Sequence, residues 1–145
     1  MTTDSPPTHP RPHILVVEDH AETRYFLELA LGESYAVDSA INATEALEMA
    51  PGAGYDLFLI DIWLRDVIDG VELMHRLREE PGYAQVPMVA MTAVRKAESS
   101  DEYRKAGFDA FLRKPFFPES LLEVIRGLLD ESGGSAEPTR EQPPL

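Results

Sequence analysis

The run LFLIDIW, Leu57 to Trp63, decides how this chain folds. Its first four residues are apolar without interruption, the pattern of a strand covered on both faces in a parallel sheet. An aspartate, Asp61, then stands where the strand should end. Burying a carboxylate without a partner is costly. Asp61 therefore demands company, and the rest of the chain must supply it.

Four other short apolar runs surround that one: HILVV (His13 to Val17), YAVDSAI (Tyr35 to Ile41), PMVAM (Pro87 to Met91) and AFL (Ala110 to Leu112). Segments of helical period alternate with them. They run from about Ala21 to Leu31, with Phe26, Leu29 and Ala30 as the apolar face, Thr44 to Ala50, Val71 to Glu79, Ser99 to Ala106, and Pro118 to Leu129. Gly32, Pro51-Gly52, Pro81-Gly82 and Gly107 punctuate the helix ends. Strands alternating with helices imply an α/β fold with a doubly wound parallel sheet flanked by five helices. The second and fifth strands are the shorter or more polar ones and suit the edges, which gives the order 2-1-3-4-5.

Residues 1–12 and 131–145 are rich in Pro, Ser, Thr and Gly and poor in large apolar side chains, so both are expected to be disordered tails around one folded domain, 13–130. The chain carries 26 acidic against 13 basic residues, a net charge of −13, which disfavours direct nucleic-acid binding. It has no cysteine, so disulfide and thiol chemistry are out. It shows no apolar run long enough for a membrane span and no signal-like N-terminus; a cytoplasmic protein is expected.

In an open parallel sheet, ligands bind beyond the carboxyl ends of the strands. The residues at those ends are Glu18-Asp19 after the first strand, Asp61 after the third, Thr92 after the fourth and Lys114-Pro115 after the fifth. Taken singly each has an ordinary explanation. Asp19 could cap the first helix with Glu22 three residues on; Glu18 could be a solvated loop acid, Thr92 a strand residue and Lys114 a surface lysine. Together they place polar chemistry after four strands at one rim. Three carboxylates within about 5 Å repel by roughly 3 kcal/mol per pair at an effective dielectric near 20. A hard divalent cation compensates this, and Mg²⁺, which takes oxygen ligands and a phosphate oxygen, fits best. His20 can approach this rim but the Mg²⁺ reading does not need it, so a zinc or iron site is not expected. An ammonium and a hydroxyl beside carboxylate-held Mg²⁺ make a phosphoryl receptor, in which Asp61 can attack and form an aspartyl phosphate.

With these residues assembled, the chain resembles the receiver domain of two-component response regulators. The resemblance covers about Pro12 to Asp130 and rests on ILVVEDHAETR, DLFLIDIWL with Asp69-Gly70, MVAMTA and AGFDAFLRKPF, in that order. It implies the flavodoxin-like receiver fold. It further implies that Asp61 accepts the phosphoryl group and that Glu18 and Asp19, with Asp61 and the backbone carbonyl of Trp63, position Mg²⁺. Thr92 and Phe111 match the switch pair, small Ala93 leaves the phosphoryl group accessible, and Lys114 matches the phosphoryl-contacting lysine, its bond to Pro115 resembling one that is cis in the family. The implied donor is a phosphohistidine on a sensor histidine kinase or a histidine phosphotransfer protein. The implied output is a protein target, or a second copy in a homodimer, on the face of helix 4, strand 5 and helix 5.

Only a short tail follows Asp130, so the chain is expected to act as a stand-alone receiver: a phosphorelay intermediate, a phosphate sink or a regulator. It is not expected to be an enzyme, since an aspartyl-phosphate phosphatase would want a second acid where Trp63 stands. The remaining alternative is an unphosphorylated pseudo-receiver that serves for docking. Two departures stand out: Arg65, where the family often has proline, and a loop from Asp61 to Gly70 one residue longer than the commonest form. Both bear on loop conformation rather than on the chemistry itself. Bulky Trp63 beside the site implies an unusual dephosphorylation rate.

Overall fold

The computed structural model describes residues 11–93 and 100–131. The elements follow in strict alternation: β1 (His13–Val17), α1 (Ala21–Leu31), β2 (Ala36–Ala40), α2 (Ala43–Met49), β3 (Leu57–Asp61), α3 (Gly70–Glu79), β4 (Met88–Thr92), α4 (Ser100–Ala106), β5 (Ala110–Arg113) and α5 (Pro118–Glu131). The strands form one parallel sheet in the order β2-β1-β3-β4-β5. The expected tails, residues 11, 12 and 131 apart, lie outside the described residues, as does Ser99 at the expected start of α4.

The unbroken apolar runs of β1, β3 and β4 are explained by what lies on each side. Successive strand side chains point to opposite faces. Leu15, Val17, Phe58, Ile60, Met88 and Ala90 enter a core with α2 and α3 residues such as Ala46, Leu73, Met74 and Leu77. Ile14, Val16, Leu57, Leu59, Val89 and Met91 enter a second core with Leu27 and Leu31 of α1 and Leu121 and Ile125 of α5. Each strand thus needs apolar residues on both faces, and β3 is buried throughout, Asp61 included.

The apolar face of α1 differs from expectation. Leu27 and Leu31 are its buried residues, Phe26 and Ala30 flank them, and Leu29 is 61% exposed. At 100° per residue, Leu29 lies nearly opposite both Leu27 and Leu31, so the sheet cannot cover all three. The capping reading of Asp19 also fails: the N-cap of α1 is His20, which makes no side-chain capping bond. By contrast α2 and α3 are capped by Asn42 and Asp69, which accept from the amides of Glu45 and Glu72.

The end of the sheet opposite the strand carboxyl termini is clasped by polar side chains. Arg78 donates to the carbonyls of Ala84 (3.1 Å), Val86 (2.9 Å) and Gly107 (3.0 Å) and to Asp109 Oδ2 (2.9 Å). Asp109 Oδ2 also accepts from the Met88 amide at 2.8 Å, so one guanidinium and one carboxylate tie α3, the approach to β4 and the approach to β5 together.

Candidate metal centre

Backbone pairing carries the site residues past the ends of the strands. Glu18 N–H donates to the Ala40 carbonyl (3.0 Å), Ile62 N–H to Met91 (2.9 Å) and Lys114 N–H to Thr92 (2.8 Å), so each ladder runs on through the site. Glu18, Asp61 and Thr92 are consequently buried, at 0%, 3% and 0% exposure. Gly70 lets the N-terminus of α3 press against this rim: a Cβ there would come within 2.8 Å of Ile62 Cα and would also collide with the Asp61 carbonyl. The peptide bond between Lys114 and Pro115 is cis, as the resemblance implies.

The acids converge. One ligand atom from each of Glu18, Asp19, His20 and Asp61 lies within 4.8 Å of the others. Lys114 Nζ donates to Glu18 Oε1 at 2.7 Å and lies at 3.5 Å from Asp61 Oδ2. Asp61 Oδ1 accepts from the Trp63 amide at 3.0 Å, while the Trp63 side chain is 55% exposed. Burial pushes the Asp61 carboxyl above the ordinary range, and the nearby Glu18 charge adds to this; the Lys114 ammonium and the Trp63 amide pull the other way.

Among the described residues, two buried side-chain oxygens find no hydrogen bond: Asp19 Oδ1 and Thr92 Oγ1. Buried polar atoms are ordinarily paired. The first sits among three carboxylates that would otherwise repel one another, and the donors are hard oxygens. This set fits a divalent cation. The second lies one residue beyond Met91, the register partner of Asp61 on the adjoining strand, and its hydroxyl is uncommitted. Phe111 stands further off. It pairs in register with Ala90, is half-buried, and stacks on Tyr103 of α4 with ring centroids 5.4 Å apart at 11°.

Three further residues join the site. His20 Nδ1 lies 3.1 Å from both Glu18 Oε2 and Asp19 Oδ1, so the histidine that could approach this rim does so. Arg65 Nε reaches to 3.8 Å of Asp19 Oδ2, so the departure at this position does touch the acid cluster. Arg24 Nη1 holds the Glu18 carbonyl at 2.9 Å. The loop after β3 is also anchored. Asp66 Oδ2 accepts from the Thr44 amide (2.9 Å) and hydroxyl (3.0 Å) at the start of α2. These amide bonds, that of Thr44 first and then that of Val67, hold the Asp66 carboxyl below the usual range.

A doubly wound parallel sheet with clustered acids, a lysine and an unbonded hydroxyl at its C-terminal rim is the arrangement that the receiver resemblance implies. The chain belongs to the response regulator receiver domain family, which matches residues 14–126. It is 34% identical over 117 residues, 80% of its own length, to the transcriptional regulatory protein ResD of Bacillus subtilis. It covers 47% of that protein, so the chain spans about half the length of this curated relative. Among solved structures it is similar to a CheY-like receiver domain protein from Methanospirillum hungatei, at 31% identity and TM-score 0.76, covering 85% of this chain and 97% of the other. It is likewise similar to the receiver domain of the sensor histidine kinase PA1611 from Pseudomonas aeruginosa. That structure, at 28% identity and TM-score 0.73 and covering 82% of this chain and 98% of its own, is described with a magnesium ion coordinated in the active site cleft.

Proposed function

We propose that this receiver accepts a phosphoryl group on Asp61 from a phosphohistidine donor, with Mg²⁺ held by Glu18, Asp19, Asp61 and the Trp63 carbonyl. The observation that carries this is the Asp61 carboxylate itself, buried at the rim between the metal-binding acids and the Lys114 ammonium. A carboxylate oxygen of Asp61 bonds to phosphorus as the donor's N–P bond breaks, giving an acyl phosphate. Bound Mg²⁺ would neutralise charge on the transferring oxygens. Lys114 moves from Glu18 towards the phosphoryl group, and Thr92 donates its unused hydroxyl to a phosphoryl oxygen.

A groove of about 470 Å³ lined by Glu22, Thr23, Phe26, Ala93, Lys114, Pro115 and Phe116 opens beside the lysine and suits a donor protein's surface, that of a sensor histidine kinase or a phosphotransfer protein. Inward movement of Thr92 gives Phe111 room to leave its stack on Tyr103. That changes the surface of α4, β5 and α5, where a downstream protein would read the state. Intact-mass measurement after incubation with acetyl phosphate and Mg²⁺ tests the reading. One added phosphoryl group is expected in the wild type and none in Asp61→Asn; an equal gain in both would refute Asp61 as acceptor.

A further inference from the structure

We propose that His20 is a nitrogen ligand of the same metal centre, so that the site takes imidazole-accepting first-row divalent cations with an affinity that an all-oxygen site would lack. This rests on the metal reading above but concerns which cation the site selects. His20 occupies the N-cap of α1, a position where Ser, Thr, Asp or Asn would bond to the first-turn amides. Its side chain makes no such bond. Instead Nδ1 sits 3.1 Å from Glu18 Oε2 and 3.1 Å from Asp19 Oδ1, although the residue is 59% exposed and free to turn to water. The His20 amide also donates to Glu18 Oε2 at 3.1 Å, which fixes the backbone under the ring. The nitrogen and the three carboxylates thus offer four ligand atoms within 4.8 Å, one of them the buried Asp19 oxygen that no hydrogen bond satisfies.

Mg²⁺ gains little from such a nitrogen, since it prefers oxygen and sheds water reluctantly. Mn²⁺, and more strongly Ni²⁺ or Zn²⁺, accept imidazole, with affinity rising along the series to copper. Removing His20 therefore separates the cations. A residue serving only as a counter-charge to the acids would act on all of them alike.

The test compares wild type with His20→Ala in titrations of Mg²⁺, Mn²⁺ and Ni²⁺ at one neutral pH, followed by Trp63 emission and calorimetry. Displacement by Mg²⁺ identifies the shared site. The variant loses no capping bond, and its melting temperature reports whether it is folded. Ni²⁺ affinity is expected to fall about tenfold or more while Mg²⁺ affinity stays within about threefold. Nitrogen modulation in the pulsed electron-spin spectrum of bound Mn²⁺ is expected to vanish. Equal losses for Mg²⁺ and Ni²⁺, or no loss for Ni²⁺, overturn the inference while leaving the Mg²⁺ reading intact. Wild type that binds Ni²⁺ through His20 but not Mg²⁺ overturns the Mg²⁺ reading alone. Wild type that binds neither overturns both.

Discussion

Lys114 is held by Glu18, at 2.7 Å, rather than by Asp61, at 3.5 Å. The ammonium therefore rests on the buried Glu18 carboxylate and only leans towards Asp61. Removing it leaves a fully buried Glu18 and a nearly buried Asp61 without their cation. Lys114→Ala is expected to destabilise the fold by about 3 kcal/mol in EDTA. Saturating Mg²⁺ should return part of that loss. Urea unfolding with and without Mg²⁺ measures both, and an unchanged midpoint in EDTA would contradict the pairing.

Asp61→Asn should act in the opposite direction. An acid whose pKa rises on folding holds its proton more readily in the native state, so ionising Asp61 costs stability. The cost is absent below its ordinary value of 3.8 and grows as pH rises through the elevated native value. At neutral pH without metal, Asp61→Asn is expected to stabilise by on the order of 1 kcal/mol, or about 4 °C in Tm. The difference should shrink as the pH is lowered towards the ordinary value. Melting curves across that window decide the matter; a variant less stable at pH 7 than at pH 4, relative to wild type, is the wrong sign.

Arg65 faces Asp19 across 3.8 Å and is 83% exposed, so it competes weakly with a bound cation. Arg65→Ala is expected to raise Mg²⁺ affinity by about two- to threefold at low ionic strength, with the gain fading in high salt. Titration of Trp63 emission in two salt concentrations reads both the gain and its screening.

Gly70→Ala should disturb the site from behind. The added methyl meets the backbone of Asp61 and Ile62, and backbone cannot rotate away. A loss of about 2 to 3 kcal/mol is expected, together with a changed Trp63 emission maximum as the loop after β3 is displaced. A neutral effect on both would mean that α3 can retreat without cost.

At the other end of the sheet, Arg78→Lys should fail to replace the arginine. An ammonium cannot span three carbonyls and a carboxylate as the guanidinium does. A loss of about 2 kcal/mol is expected, with Mg²⁺ affinity unchanged because the clasp lies opposite the rim. Chemical denaturation and the metal titration give the two readings independently.

The sheet and its rim were legible because both follow from short-range pattern. LFLI and HILVV announce strands covered on two faces, and the polar residues that follow four of the strands must gather at one rim of the sheet. What lay hidden depends on how elements meet. Leu29 and Leu27 look equally apolar in the sequence; only the angle at which α1 meets the sheet leaves the first outside. His20 follows the acid pair in a position suited to capping, and nothing in the residue order says that its ring turns back onto Glu18. Arg65 reads as a loop substitution until the loop folds over Asp19. The Arg78 clasp joins residues from three segments and has no sequence signature at all.

The polar clasp around Arg78 and the acidic rim sit at opposite tips of the same strands, and the difference has an evolutionary reading. Among the described residues the two ends share no side chain, so charge changes at the rim leave the Arg78 bonds to Ala84, Val86, Gly107 and Asp109 in place. A lineage carrying such a scaffold can vary the acidic pole while the Arg78 joints at the other stay as they are.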